Sequence, residues 1–207
     1  MGAAMEYGHA ISGTALSRPS SANAISDEVL VGLIANGDRD AMRLLFIRHN
    51  LRIFRFLLRI VGNDATAEDL LNEVFLEVWR NADRFEARSQ VKTWLLGIAR
   101  FKALSALKRR SFDALDDGVA ESIEDPADDP EDVLRTTERG ALLQACLRQL
   151  SSAHRQVIDL VYYHEQSIDE VARIIGVPQN TVKTRIFYAR KRIAELLAEH
   201  GIERASL

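Results

Sequence analysis

The chain has 207 residues, 47% of them hydrophobic, a net charge of −3, one cysteine and five histidines. That length holds one domain or two small ones, and the apolar share is too high for a chain disordered throughout. Cys146 alone makes no disulfide, the histidines lack ligand spacing, no apolar run approaches the roughly 18–20 residues of a membrane span, and the start lacks the order of a signal peptide, so the expectation is a cytoplasmic protein without membrane insertion, metal or other cofactor.

Residues 1–25, rich in Ser, Ala and Gly, read as a tail outside the fold. From there the hydrophobic period is helical nearly everywhere. Val29, Leu30, Leu33 and Ile34 form a short stripe that Gly37 ends, and Leu44, Leu51, Phe54, Leu58 and Val61 form a longer one stopped by Gly62 and Asn63. Thr66 and Asp69 stand at capping-box spacing ahead of Leu70, Leu71, Val74, Phe75 and Val78, which predicts a third helix reaching about Ala82. After a polar loop, Val91, Trp94, Leu95, Ile98 and Leu107 predict a fourth helix, with Lys108, Arg109 and Arg110 in its last turn, where cations suit the helix dipole. Residues 39–110 carry 15 Lys and Arg against 8 Asp and Glu.

Between Ser111 and Thr137 the periodicity collapses around Pro126 and Pro130, with 10 acidic residues against one basic. So little apolar surface cannot offset the entropy of ordering. A flexible acidic linker is expected over 112–137, joining a unit at 26–111 to a second at 138–198, with a tail at 199–207. In the second unit Leu142, Ala145, Cys146 and Leu150 form one stripe, with Cys146 a core residue, and Val157, Ile158, Val161 and Tyr162 form another after Ser151. Residues 138–195 hold 9 basic residues against 6 acidic. Two basic blocks flanking an acidic strip suit two nucleic-acid-facing units on an acidic tether; solvated helical faces and a spacer give the same pattern.

The sharpest signal closes the chain. Ser167 and Glu170 again make a capping box, opening a helix that buries Val171, Ile174 and Ile175 and breaks at Gly176, Val177 and Pro178. A second helix then sets Val182, Ile186, Ala189 and Ile193 on one stripe and shows Asn180, Lys183, Thr184, Phe187, Tyr188 and Lys191 on the other face. Helix, glycine turn and helix at this spacing form a helix-turn-helix whose second helix fits a DNA major groove about 12 Å wide. Lys183 and Lys191 suit phosphates or guanine edges, Asn180 and Thr184 base edges, and Phe187 thymine methyl groups, with Arg185, Arg190 and Arg192 beside the groove. A helical hairpin with a charged outer face is the plainer alternative, and Phe187 and Tyr188 can also pack on a neighbouring helix.

The segment EQSIDEVARIIGVPQNTVKTRIFYARKRI, residues 165–193, resembles the promoter-reading fourth region of the sigma-70 family, in its extracytoplasmic-function subgroup. AEDLLNEVFLEVWRNADRF at 67–85 and VKTWLLGIARFKALSALKRR at 91–110 resemble the first-domain motifs of the same subgroup, in order and at fitting separation. The resemblance covers residues 27–198. It implies an all-α fold of two small helical bundles, and an alternative sigma factor that binds core RNA polymerase, through the beta-prime clamp and the beta flap, and directs it to promoter DNA. The residues matching the polymerase-docking helix are Asp69, Asn72, Glu73, Phe75 and Val78. Phe75, Val78 and Trp79 also share a stripe with Leu71 and Val74 and so read as core, leaving Asp69 and Glu73 as the stronger interface residues. The loop Glu86–Gln90, with Arg88 and Ser89, and the helix after it match the part that melts and captures the minus-10 element. Lys92, Arg100, Lys102, Lys108, Arg109 and Arg110 supply cations there; Trp94 is a candidate stacking platform that reads first as core. Asn180, Lys183, Thr184, Arg185, Phe187, Tyr188, Arg190 and Lys191 match the minus-35 reader. An anti-sigma factor is an expected partner, and the acidic strip either threads the polymerase's RNA exit path or serves as a tether.

The chain departs from many relatives at Phe101 and Ser105, where they have Asn and Asp, and at Tyr188, a position often basic, which leaves promoter preference open. No Gly-rich phosphate loop, nucleophile motif or metal constellation is present, so no catalytic residue is expected. A stand-alone helix-turn-helix regulator and a helical protein-binding adaptor are the rival readings, and the docking helix argues against both.

Overall fold

The structure is a computed structural model that describes residues 25–116 and 138–200. Residues 1–24 and 201–207 of the expected tails and most of the expected linker fall outside the described residues, as do the side chains of residues 111–116, 138 and 139; Glu199, expected in the tail, is the last residue of α8. Among the described residues every regular element is helical: α1 (Asp27–Ala35), α2 (Arg39–Val61), α3 (Asp64–Asn81), a 3-10 turn (Ala82–Arg84), α4 (Val91–Asp116), α5 (Glu138–Arg148), α6 (Ser152–Ile158), a π turn (Asp159–Tyr163), α7 (Ile168–Ile175) and α8 (Gln179–Glu199).

Local chemistry sets most of the ends. Ser26 and Asp38 cap α1 and α2, their side-chain oxygens accepting from the backbone N–H of Val29 at 3.3 Å and Ala41 at 2.9 Å. Gly62 ends α2 in the left-handed region, φ 70°, with its N–H donating to the Leu58 carbonyl at 2.8 Å. The start of α3 corrects the sequence reading. Asn63, not Thr66, is the cap: its Oδ1 accepts from the Thr66 N–H at 2.9 Å and from the Thr66 hydroxyl at 3.0 Å. Thr66 therefore serves the cap as donor, and the helix begins at Asp64, whose charge suits the dipole. The end of α4 is a second correction. The helix runs to Asp116, through good helix formers at Ala114 and Leu115, so Lys108, Arg109 and Arg110 lie within it and the dipole gives no reason for them.

Helices α1 to α4 pack with α2 against both α3 and α4, burying Leu45, Ile53, Phe56, Leu57, Val74, Leu95, Leu96 and Ala99 almost completely. On α1 the inward residues are Leu30, Val31 and Ile34; Val29 is 53% and Leu33 39% exposed, and on α2 Leu51 is 55% exposed, so the expected stripes are rotated at those three positions. The second unit packs α5, α6 and α7 around α8. Cys146 is buried with Leu196 and Leu197, and burial, then the charge of Glu199, pushes its thiol above the usual range. That environment is inert, as expected for a core cysteine.

The two units share a core. Helix α4 packs on α7, and one apolar cluster runs from Leu30 and Phe56 through Leu95 to Leu160, Val171, Ile174 and Val182. Apolar burial, at about 25 cal/mol per Å², therefore holds the units to each other as well as each to itself.

Candidate nucleic-acid interface

The helix-turn-helix is built from its caps outward. The Ser167 N–H donates to Glu170 Oε2 at 2.8 Å and the Glu170 N–H to Ser167 Oγ at 3.3 Å, completing the box. Helix α7 then buries Val171, Ala172, Ile174 and Ile175 and stops at Gly176, φ 75°, whose N–H donates to the Ala172 carbonyl at 2.9 Å. Pro178, φ −60°, stands before the first residue of α8. Across the turn Gln179 donates to Asp169 Oδ1 at 2.8 Å, tying the two helices at their close approach.

Helix α8 turns Val182 and Ala189 fully inward, with Ile186 and Ile193 half-buried. Its outward face carries Asn180, Lys183, Thr184, Phe187, Tyr188, Arg190 and Lys191, all exposed, while Arg185 is half-buried at the edge. Phe187 and Tyr188, 63% and 52% exposed, meet each other edge-on at 5.4 Å. The Thr184 hydroxyl donates to the Asn180 carbonyl at 2.9 Å, so toward a base it is set to accept. A ridge of cations, amides and two rings standing clear of the bundle has the shape and chemistry of a major-groove reader.

The first unit offers a different surface. The loop before α4 holds Ala87 at φ 53°, a strained left-handed backbone for a residue with a Cβ. Arg84, Phe85, Glu86, Ala87, Arg88, Ser89 and Trp94 line a hollow of about 150 Å³ there. Trp94 stacks at a tilt on Phe85, centroids 4.9 Å apart, and is half-buried: part core, part wall of the hollow. A larger groove of about 420 Å³ continues along α4 past Thr93, Gly97, Phe101 and Lys102 to Arg173 and Ile174 of α7. Lys108, Arg109 and Arg110 are exposed farther along α4, and Lys92, Arg100 and Lys102 are half-buried. Phe101 is 72% exposed, and Ser105 is half-buried.

On α3, Asp69, Asn72 and Glu73 face solvent, whereas Phe75 is 4% exposed and Val78 fully buried. Phe75 meets Phe46 edge-on at 4.8 Å and Val78 sits in the main core. These two side chains position the helix and have no surface for a partner, a correction to their inclusion in the docking set. Trp79, expected inside, is 36% exposed, and Leu76 is 46% exposed. Asp69, Asn72, Leu76 and Trp79 follow steps of three, four and three, so one helical face carries a carboxylate, an amide and two apolar anchors. That spacing was visible in the sequence for Leu76, which the acidic pattern alone left out.

The surfaces meet at a polar joint that periodicity gave no means of finding. Arg59 of α2 pairs with the buried Asp159 of the π turn and lies over the Tyr163 ring, 4.3 Å from its centroid. His164, 2% exposed, meets Phe56 edge-on at 5.2 Å. The buried Thr93 hydroxyl lies 2.9 Å from both Gln166 Oε1 and Glu170 Oε1. Arg100 donates to Gln156 Oε1 at 3.3 Å, and burial, then the charge of Arg185, lowers its guanidinium from its ordinary value. Arg173 donates to the Arg88 carbonyl at 3.0 Å. Burial pushes the Glu170 carboxyl up, but hydrogen bonds from Ser167 and Thr93 and the charge of Lys92 outweigh it and hold the group below the ordinary 4.5.

Among the described residues no helix is long and apolar enough to cross a membrane, and no group of His, Cys, Asp and Glu could hold a metal. Residues 45–112 match the family model described as Sigma-70 region 2, and residues 140–193 that described as Sigma-70, region 4. The chain is 34% identical over 169 residues to RNA polymerase sigma factor CarQ of Myxococcus xanthus, covering 81% of this chain and 95% of that protein. It is 29% identical over 164 residues to ECF RNA polymerase sigma factor SigL of Mycobacterium tuberculosis, covering 79% and 92%. A solved relative, the sigma factor RpoE from Bartonella quintana in complex with the anti-sigma factor NepR, superposes with a TM-score of 0.58 at 26% identity, covering 74% of this chain and 94% of that one.

Proposed function

The chain belongs to the extracytoplasmic-function branch of the sigma-70 family and is an alternative sigma factor directing transcription initiation, and on that premise we propose how its surfaces divide the work. Asp69, Asn72 and Glu73, with Leu76 and Trp79 as apolar anchors, dock on the beta-prime clamp of core RNA polymerase, and the second unit docks on the beta flap. The outward face of α8, from Asn180 to Lys191, reads the minus-35 element in the major groove. The 86–90 loop, with its hollow at Trp94, receives an extruded base of the minus-10 element, while Lys92, Arg100, Lys102, Lys108, Arg109 and Arg110 follow the separated strand's phosphates. The chain acts in the cytoplasm as a non-catalytic specificity subunit without a cofactor, and a protein inhibitor, as NepR is for its partner, holds it inactive.

The observation that carries this reading is the division of α8: Val182 and Ala189 fully buried, with an unbroken polar and aromatic ridge opposite. In vitro transcription with purified core RNA polymerase, with and without the chain, tests it on a promoter library. Transcripts that require the chain and weaken with Asp69→Ala/Glu73→Ala support the assignment of the docking face. Duplex binding by the chain alone, with no association with core enzyme, would return the stand-alone regulator.

A further inference from the structure

Phe101, at 72%, is the most exposed large apolar side chain among the described residues, and it stands on α4 among the residues assigned to the minus-10 element. A lone exposed ring needs no explanation, but the surroundings of this one are particular. Trp94, Gly97, Phe101, Ser105 and Lys108 follow one another at steps of three or four and so share a helical face. A helical side chain leans toward the N-terminus, which aims the Phe101 ring back toward Gly97. Nothing beyond the helix's own turn lies within 4 Å of where a Cβ on Gly97 would stand, so the ring has an open floor before it. Trp94, Gly97 and Phe101 all line the groove of about 420 Å³ along α4. Glu77, the carboxylate in that lining, is paired with Lys102 at 3.5 Å, and Lys108 and Arg109 stand exposed two turns beyond the ring. A flat ring beside open space and a row of cations suits a nucleobase on a phosphate backbone. An apolar peptide would meet charge where it needs apolar contact.

Resting on the proposed minus-10 assignment, we propose that Phe101 is a second base-stacking station, against which an unpaired base of the separated strand lies over Gly97. The hollow at Trp94 takes the extruded base. Phe101 is seven residues farther on, about 10.5 Å along the helix at about 1.5 Å per residue. At about 3.4 Å per stacked nucleotide that is about three positions along the strand, so one strand engages both stations at once. Stacking tolerates any base, because every base has a π face. Phe101 therefore adds affinity for separated DNA without adding a sequence requirement, and the letters of the minus-10 element are read at the hollow.

Titration of the full-length chain by fluorescence anisotropy tests this with two labelled probes: (dT)12, and an abasic strand of the same length that has the phosphates and no bases. Phe101→Leu keeps an apolar helix former without the ring, Phe101→Tyr keeps the ring, and Gly97→Leu fills the floor. The expected result is roughly five- to tenfold weaker (dT)12 binding for Phe101→Leu and Gly97→Leu, wild-type binding for Phe101→Tyr, and unchanged binding of the abasic strand by all three. Lys108→Ala/Arg109→Ala should weaken both probes. Phe101→Trp supplies a direct signal: (dT)12 should quench the added indole fluorescence above the Trp79 and Trp94 background, and the abasic strand should not. Equal losses on both probes for Phe101→Leu overturn stacking, since a ring that only shapes the helix would act on the backbone contacts too. Unchanged (dT)12 binding by Phe101→Leu, where Lys108→Ala/Arg109→Ala weakens both probes, overturns the station and leaves the minus-10 assignment standing. No weakening by either variant overturns both and places the failure in the minus-10 assignment.

Discussion

Lys102 of α4 reaches across to α3 and donates to Glu73 Oε2 at 3.2 Å, with Glu77 Oε2 at 3.5 Å on its other side. A cation assigned to promoter DNA is thereby the neighbour of a carboxylate assigned to polymerase, and the two proposed surfaces share an edge. The Lys102 side chain is 18% exposed and that of Glu73 53%, so solvent screens the pair and its worth to stability is under about 1 kcal/mol. Lys102→Ala should shift the denaturation midpoint little while reducing transcription several-fold. A loss of stability well above 1 kcal/mol would show that the lysine stem is a packing element instead.

On α8, Lys183→Ala and Phe187→Ala remove exposed groups without opening a cavity, so each should leave stability within about 0.5 kcal/mol. Their effects on binding should differ in kind. Lys183→Ala weakens duplex affinity across sequences and lowers the salt slope by about one if it meets phosphate. Phe187→Ala leaves the slope alone and costs affinity where thymine methyl groups lie beneath it. Titrations at several salt concentrations separate the two; identical slopes for both variants would remove the phosphate role from Lys183.

The helices and the recognition ridge were legible because periodicity and caps are local: Ser167 with Glu170, Gly62, Gly176 and the 182, 186, 189, 193 stripe all stand where the spacing put them. Misreadings arose where two local signals competed. Asn63 outdid Thr66 as a cap, and Val31 rather than Val29 faced the core. The joint was illegible for another reason. Arg59 and Asp159 are 100 residues apart, and Thr93 and Gln166 73, so no window along the chain contains either pair. The trace that did exist was Asp159 within the apolar run Val157, Ile158, Leu160 and Val161: a carboxylate there must find a buried partner.

Ser167→Ala removes one half of the box and leaves the Glu170 N–H without its acceptor. The expected cost is about 1 kcal/mol, read by urea denaturation. Because α7 carries the joint as well as the turn, the same variant should loosen the joint and raise hydrogen exchange at Thr93 as well as within α7. Exchange that rises in α7 alone would mean that the two units open independently.

Glu170 gives the chain a pH dependence with a definite sign. Its folded-state carboxyl is held below the ordinary 4.5 because hydrogen bonds from Ser167 and Thr93 and the Lys92 charge outweigh its burial. A group with a depressed folded value binds its proton more tightly when unfolded, so its contribution to stability is complete above 4.5 and is lost as pH falls through the lower folded value. Glu170→Gln keeps a side chain that can still complete the box but has no proton to gain. The difference in unfolding free energy between the wild type and Glu170→Gln should therefore be flat from neutral pH down to about 5, and shrink below 4.5 as the wild type loses its charge. Comparing the two proteins cancels the other carboxylates, which titrate alike in both. A difference that stays constant to pH 3 would mean that the hydrogen bonds at Glu170 serve either protonation state equally, and that geometry alone fixes α7 against α4.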